Sequence, residues 1–289
     1  MAATAFALEH HELDSADIIN ALFKHKTMET PTFLVGADGF CILKCGSQSA
    51  LIHVFHDKTT LVTFEADIKG VKPKDAAQRC LFWSLQNKEL TVCLGTAGSG
   101  KTFISSAFAL EQMERSKKKI VLLKPTRFIG GDSNAIAAVP GGITEKLAPY
   151  TESFLQHMRN LIGWQADQKL GEMEEHRNLE FAAVELCRGR HFADSIVILD
   201  EAQNLSFHEL TSIISRVDDS SKLLILGDPL QIDLPGVKWA ETGLAMLLES
   251  SAWYDASFAS VVELETSYRG KMARLAGDAI LELHLKDAV

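Results

Sequence analysis

Several things are missing from this sequence, and each absence narrows the reading. No apolar run approaches the length of a membrane span, so no spanning helix is expected. There is no basic excess. The formal net charge is −9, which argues against a protein that coats nucleic acid through overall charge but leaves room for a local basic patch. The opening MAATAFALEHHELD has no basic region followed by a long apolar stretch, so no signal peptide is expected. Cysteines number only five. Cys41, Cys45, Cys80, Cys93 and Cys187 are odd in count and widely spread, the pattern of reduced, buried thiols in a cytoplasmic protein rather than of a disulfide framework. The nearest approach to metal-ligand spacing is Cys41-x-x-x-Cys45 with His53-x-x-His56, and both pairs fall where alternating strands are expected. Residues 1–70 hold no carboxylate cluster of the kind a nuclease needs. The remaining balance, 46% apolar and 23% charged, is that of a globular protein of one large or two moderate domains.

What is present centres on GTAGSGKT: Gly95, Thr96, Ala97, Gly98, Ser99, Gly100, Lys101 and Thr102. The spacing G-x-x-x-x-G-K-[ST] lies between an apolar run at 90–94 and an apolar helical run at 103–113, the strand–loop–helix context of a phosphate-binding P-loop. Its glycines let backbone N–H groups approach phosphate oxygens, and the helix beginning near Lys101 adds the positive end of its dipole. Lys101 supplies a charge for the β and γ phosphates, and the Thr102 hydroxyl is placed to ligate Mg²⁺.

Three further apolar runs end in polar groups. Ile196–Leu199 leads into Asp200-Glu201-Ala202-Gln203-Asn204, a Walker B strand. Asp200 is expected to hold Mg²⁺ through its water shell, facing Thr102, and Glu201 to polarise the attacking water. Gln203 is placed to sense the γ-phosphate or a bound strand. Leu223–Leu226 leads into Gly227-Asp228-Pro229-Leu230-Gln231, which sets Gln231 near the γ-phosphate and Asp228 near the metal-bound water. Val261–Leu264 leads into Ser267-Tyr268-Arg269, where Arg269 is read either as an arginine finger or as a surface residue. A fourth run, Ile120–Leu123, exits through Lys124-Pro125-Thr126-Arg127 on the ligand edge of such a sheet. Gln78, on a helix predicted over 75–85, is either an adenine reader or a surface amide. Arg188 and Arg190 flank a glycine and read either as phosphate or nucleic-acid contacts or as a surface turn.

Around these motifs, residues 128–150 read as a long Gly/Pro loop, 144–163 as a helix and 165–177 as its charged continuation. Met272 to Leu285 reads as an amphipathic tail helix. Ahead of them, Asp14-Ser15 is a plausible N-cap for a helix carrying Ile18, Ile19, Leu22 and Phe23. The runs Thr32–Val35, Phe40–Lys44, Ala50–Phe55 and Thr60–Phe64 have the rhythm of hairpins. The fold class expected is α/β: a RecA-like core with a parallel sheet over 72–289, preceded by a small α+β module over 1–71.

The motif order resembles that of superfamily 1 helicases and, more closely, the PhoH-like family of single-motor ATPases. Arg188-Gly-Arg-His-Phe-Ala-Asp-Ser195 running into Ile-Val-Ile-Leu-Asp-Glu-Ala-Gln-Asn and Gly227-Asp-Pro-Leu-Gln-Ile-Asp-Leu-Pro235 carry the likeness over about 72–289. The resemblance implies ATP and Mg²⁺, association with single-stranded RNA or DNA, and a homo-oligomeric, hexameric ring. Proteins like this also occur in bacteriophages, which would place the chain in a host cytoplasm. The chain contains one P-loop and one Walker B strand, so a motor would need neighbouring subunits, with Arg127, Arg188, Arg190 or Arg269 as candidate contacts across the ring or to nucleic acid. The alternative is a nucleotide-dependent switch recruited to a protein partner by residues 1–71.

Overall fold

The computed structural model describes residues 6–64, 67–125, 143–268, 270–272, 275 and 279. They build two sheets. The first has five strands in the order β1-β3-β4-β5-β2. Its centre is the hairpin β3 (Gly39–Cys45) and β4 (Gln48–Phe55), joined by Gly46-Ser47, with Gly46 at φ 58° as a tight two-residue loop demands. β5 (Lys58–Leu61) returns through His56-Asp57. β1 (Glu9–Glu12) lies parallel to β3, and β2 (Thr27–Glu29) is antiparallel to β5.

Helix α1 (Asp17–His25) buries Ile19 and Leu22 against this sheet. Ala16, not Asp14 or Ser15, is its N-cap residue, although the Ser15 hydroxyl accepts from Asp17 N. One expected strand is not a strand. Thr32–Leu34 forms a 3₁₀ turn, in which Leu34 N donates to the Pro31 carbonyl at 2.9 Å. Proline has no N–H to give a ladder and a φ already set for a turn. The sheet edges are β1 and β2, short polar strands with no apolar alternation to announce them.

The second sheet has six strands, all parallel, in the order β11-β6-β10-β9-β7-β8. The strands are β6 (Leu90–Gly95), β7 (Lys119–Lys124), β8 (Leu179–Ala183), β9 (Ser195–Leu199), β10 (Lys222–Gly227) and β11 (Ala259–Leu264). Every residue of β6 and β9 is buried, as helices on both faces require of a parallel sheet. One face, carrying Cys93, Ile198 and Leu226, packs on α2 (Ala76–Asn87), α3 (Lys101–Ser116), α4 (Ile143–Ile162) and α5 (Ala166–Glu175). The other, carrying Val92, Leu199 and Ile225, packs on α6 (Phe207–Ile214) and α7 (Gly243–Leu248). This is the RecA-like α/β core. β8 went unread in the sequence because it is an edge strand of five residues with one apolar neighbour strand.

The two sheets share a core. Phe40, Leu51, Val62 and Ile68 join the same cluster as Cys80, Leu81, Phe82 and Leu85 of α2. Phe40 and His53 contact the Trp83 ring at centroid distances of 5.7 and 4.8 Å. Burial, reinforced by Lys88, pushes the His53 imidazole down to about 3, so it packs as a neutral ring. Phe82 is fully buried at this junction, and truncating it to alanine is expected to cost about 3–5 kcal/mol. α2 begins with Asp75, whose carboxylate accepts Gln78 N at 2.7 Å, so the helix that carries the N-terminal sheet starts beside the P-loop.

The metal-ligand pairs read in the sequence do not assemble, since His53 is engaged with Trp83. Cys41 lies instead beside Glu9 and His11, one donor atom of each within 4.8 Å of the others. Glu9 is 66% exposed and faces His11 at 3.4 Å, the ordinary dress of an edge strand.

Candidate functional site

The polar groups that end β6, β9, β10 and β11 gather at the carboxyl edge of the parallel sheet, where ligands of such sheets bind. They line a cleft of about 410 Å³. Gly98, Gly100, Lys101 and Thr102 form one wall, Asp200, Glu201, Asp228 and Gln231 the second, and Lys74, Gln78 and Tyr268 the third.

The P-loop conformation is enforced by its neighbours. Gly95 has φ 149°, and a Cβ there would stand 2.4 Å from the Leu264 carbonyl oxygen, so only glycine lets β11 lie this close to β6. The Lys101 ammonium donates to the carbonyls of Gly95 and, at 3.1 Å, Thr96. Gln78 sits under the loop. Its amide donates to Ser99 O at 3.0 Å and accepts from Lys74 N at 2.9 Å, leaving one N–H and one lone pair for a ligand. The exit of β11 is bonded to the loop as well. Ser267 Oγ donates to Ala97 O at 3.1 Å, Tyr268 N donates to Gly98 O at 3.0 Å, and the Tyr268 hydroxyl donates to Asp75. The Lys74 ammonium lies 4.4 Å from the Tyr268 ring centroid, a flat, cation-backed surface in the lining of the cleft.

β9 delivers those carboxylates. Asp200 N donates to Leu123 O at 2.9 Å, continuing the ladder to β7 for one more residue. Glu201 then turns out of the sheet in a left-handed conformation, φ 57°, a posture uncommon outside glycine that collects at functional sites. Burial first, and the Glu201 carboxylate next, push the Asp200 carboxyl above the usual carboxylate range, against the pull of Lys124 and Lys101. Burial likewise raises Asp228. One oxygen of Asp228 accepts Leu230 N at 3.0 Å. The other, Oδ2, is buried and has no hydrogen-bond partner among the described residues. Asp228 lines the cleft together with Asp200 and Thr102, and these hard oxygen donors fit a magnesium ion.

Gln203 and Asn204 knit the two carboxylate-bearing loops together. The Gln203 amide is fully buried. It donates to Glu201 Oε2 and to Gln231 O, both at 2.8 Å, and accepts Asp228 N at 3.0 Å. Both amide donors of Gln203, expected to sense the γ-phosphate or a bound strand, are engaged inside the protein, on Glu201 and Gln231. Asn204 and Asp233 exchange two bonds, at 3.0 and 2.8 Å.

Of the predicted arginines, Arg190 pairs with Glu180 and lies over the Phe192 ring at 5.3 Å, while Arg188 is exposed. Neither lines the cleft. Arg127 and Arg269, the loop at 128–142 and nearly all of the tail helix lie outside the described residues. The structure adds groups that the sequence reading passed over: Lys74, the Tyr268 ring, Asp233 and Lys124. Lys124 and Tyr268 stood inside motifs whose arginines drew the attention.

Comparison with known proteins follows the same outline. A family model described as PhoH-like protein matches residues 70–279. The chain is 32% identical over 256 residues to Protein PhoH2 of Bacillus subtilis (strain 168), covering 83% of this chain and 56% of that protein. It is 31% identical over 205 residues to a PhoH-like protein of the same organism, covering 71% and 61%. The chain thus spans little more than half the length of the curated relatives it matches. Against a crystal structure of Pif1 helicase from Candida albicans the TM-score is 0.35 at 17% identity, over 70% of this chain and 42% of that one.

Proposed function

Because the chain belongs to the PhoH-like protein family, we propose that it is a Mg²⁺-dependent ATPase that couples hydrolysis to movement along, or remodelling of, single-stranded RNA or DNA. The observation that carries this reading is the meeting of Lys101, Asp200, Glu201 and Gln231 in one cleft. Binding alone needs only the P-loop; the carboxylate pair opposite it is equipment for hydrolysis. The chain's residues divide the work. P-loop N–H groups and Lys101 hold the phosphates. Thr102 and Asp200, with the free oxygen of Asp228, hold Mg²⁺, which when bound neutralises phosphate charge. Glu201 accepts a proton from the attacking water, and Gln231 reads the γ position. Tyr268, Lys74 and Gln78 form the surface for the base. Arg269 is the proposed finger, with Arg127, Arg188 and Arg190 as contacts to nucleic acid or to a neighbouring subunit of a cytoplasmic, hexameric ring.

A second reading has its own observation. The N-terminal sheet, the proposed module of residues 1–71, packs on α2, and α2 holds the P-loop through Gln78. A partner bound to that sheet would have a short rigid route to the nucleotide, as a switch requires. ATP turnover measured with and without single-stranded RNA and DNA separates the two. Several-fold stimulation supports the motor, and indifference supports the switch. Lys101→Ala is the control that removes turnover in either case. Native mass with an ATP analogue tests the ring, which a strict monomer would rule out.

A further inference from the structure

Lys124 is the last residue of β7, and β7 flanks β9 on the side away from the P-loop strand. The ladder pairs Leu123 with Leu199 and continues through Asp200 N to Leu123 O. The next side chain on β7 therefore falls beside the first two residues beyond β9. The Lys124 ammonium lies 3.8 Å from Asp200 Oδ2 and 3.7 Å from Glu201 Oε1, and its side chain is only 18% exposed. A lysine at a strand end ordinarily extends its ammonium into water. This one is drawn in between two carboxylates.

Three features separate this from a chance ion pair. The distances exceed those of a charge-assisted hydrogen bond, so the ammonium balances both acids without being committed to either. The other cation near the pair, Lys101, is bonded to the carbonyls of Gly95 and Thr96. And Glu201 is steadied from two sides: Oε2 accepts from Gln203 while Oε1 faces Lys124.

We propose, on the reading of this cleft as a metal-dependent ATPase site, that Lys124 is its resident counter-ion. It neutralises Asp200 and Glu201 while no divalent cation is bound, competes with that cation for the same carboxylates, and orients Glu201 for its work. Lys124 is thus a positioning residue that sets metal affinity.

The test uses the full chain with Lys124→Met, which keeps length and loses charge, and Lys124→Arg, which keeps charge. Mn²⁺ binding to nucleotide-free protein, read from the loss of the free-ion electron paramagnetic resonance signal, reports on the competition directly. Lys124→Met should bind Mn²⁺ about 5-fold more tightly or better, and its melting temperature should rise more on adding Mn²⁺ than that of the unaltered protein. Its kcat for ATP should fall about 10-fold while KM stays within a factor of about three. Lys124→Arg should restore both values. Unchanged or weakened Mn²⁺ affinity in Lys124→Met overturns the proposal. Should Lys124→Met fail to fold, Lys124→Gln carries the same measurement. The two readings fail separately: tighter Mn²⁺ binding in a protein that never hydrolyses ATP refutes the ATPase, and normal hydrolysis with unaltered Mn²⁺ affinity refutes the counter-ion.

Discussion

The fully buried amide of Gln203 offers the sharpest test of how the site is held together. Replacing it with leucine makes the side chain apolar at close to the same size while removing three hydrogen bonds at 2.8, 2.8 and 3.0 Å. The losses are unequal. Asp228 is 3% exposed, so its N–H is left buried without a partner, at about 1–3 kcal/mol. The Gln231 carbonyl belongs to an exposed residue and recovers part of its bond from water, about 1 kcal/mol lost. Glu201 loses a charge-assisted bond, about 1–2 kcal/mol, softened by its 39% exposure. Burying leucine returns about 1 kcal/mol. The net cost is about 2–5 kcal/mol, or roughly 4–10 °C in melting temperature for a chain of this size. Urea unfolding followed by tryptophan fluorescence measures the first figure, and a thermal melt the second. Because Glu201 and the Asp228 loop lose their common tie, kcat should fall at least about 10-fold with little change in nucleotide affinity. Gln203→Glu should be worse, since it sets a second carboxylate against Glu201. A Gln203→Leu protein within about 0.5 kcal/mol of the parent and with full turnover would refute the reasoning, because Glu201 would then be fixed by something other than this amide.

Glu201→Gln should bind a fluorescent ATP analogue as the parent does yet turn over at least about 100-fold more slowly; normal turnover would move the base elsewhere. Gly95→Ala should lower stability by about 3 kcal/mol or more and weaken nucleotide binding, because its Cβ meets the Leu264 carbonyl at 2.4 Å; a urea midpoint equal to the parent's would contradict the close approach. The half-buried Glu263 gives a pH signature. Its carboxyl is pushed from 4.5 up to about 7, first by burial and then by Glu265. A carboxyl that holds its proton more tightly folded than unfolded makes stability fall as pH rises through that interval, and the penalty is complete above it. Glu263→Gln should therefore gain about 1–2 kcal/mol at pH 8 after allowing for solvent screening, and nothing at pH 4; an equal gain at both values would point to packing instead.

The parallel sheet was legible because burial on both faces demands unbroken apolar runs, and the four at 90–94, 120–123, 196–199 and 223–226 stand out from their polar exits. The gathering of polar groups at those exits was legible for the same reason, since a strand tip is where a side chain leaves the core. What escaped depends on neighbours that chain order hides. β1, β2 and β8 are edge strands whose partners, not their own residues, make them strands. Lys124 finds Asp200 only because β7 lies against β9 although β8 separates them in sequence. The ties of the Gln203 amide to Glu201, Gln231 and Asp228 are hidden in the same way, because they join loops at the tips of two strands.

One strand, β10, stands between the P-loop strand and the carboxylate strand. Two strand spacings place β6 and β9 about 9–10 Å apart, and hydrogen bonding fixes that gap as rigidly as the jaws of a set caliper. One jaw carries the P-loop and the other Asp200 and Glu201, all of which line the same cleft. The tip of β10, with Asp228 and Gln231, sits at mid-span. The strand that sets the gauge therefore also carries, at its tip, the loop that Gln203 ties to Glu201.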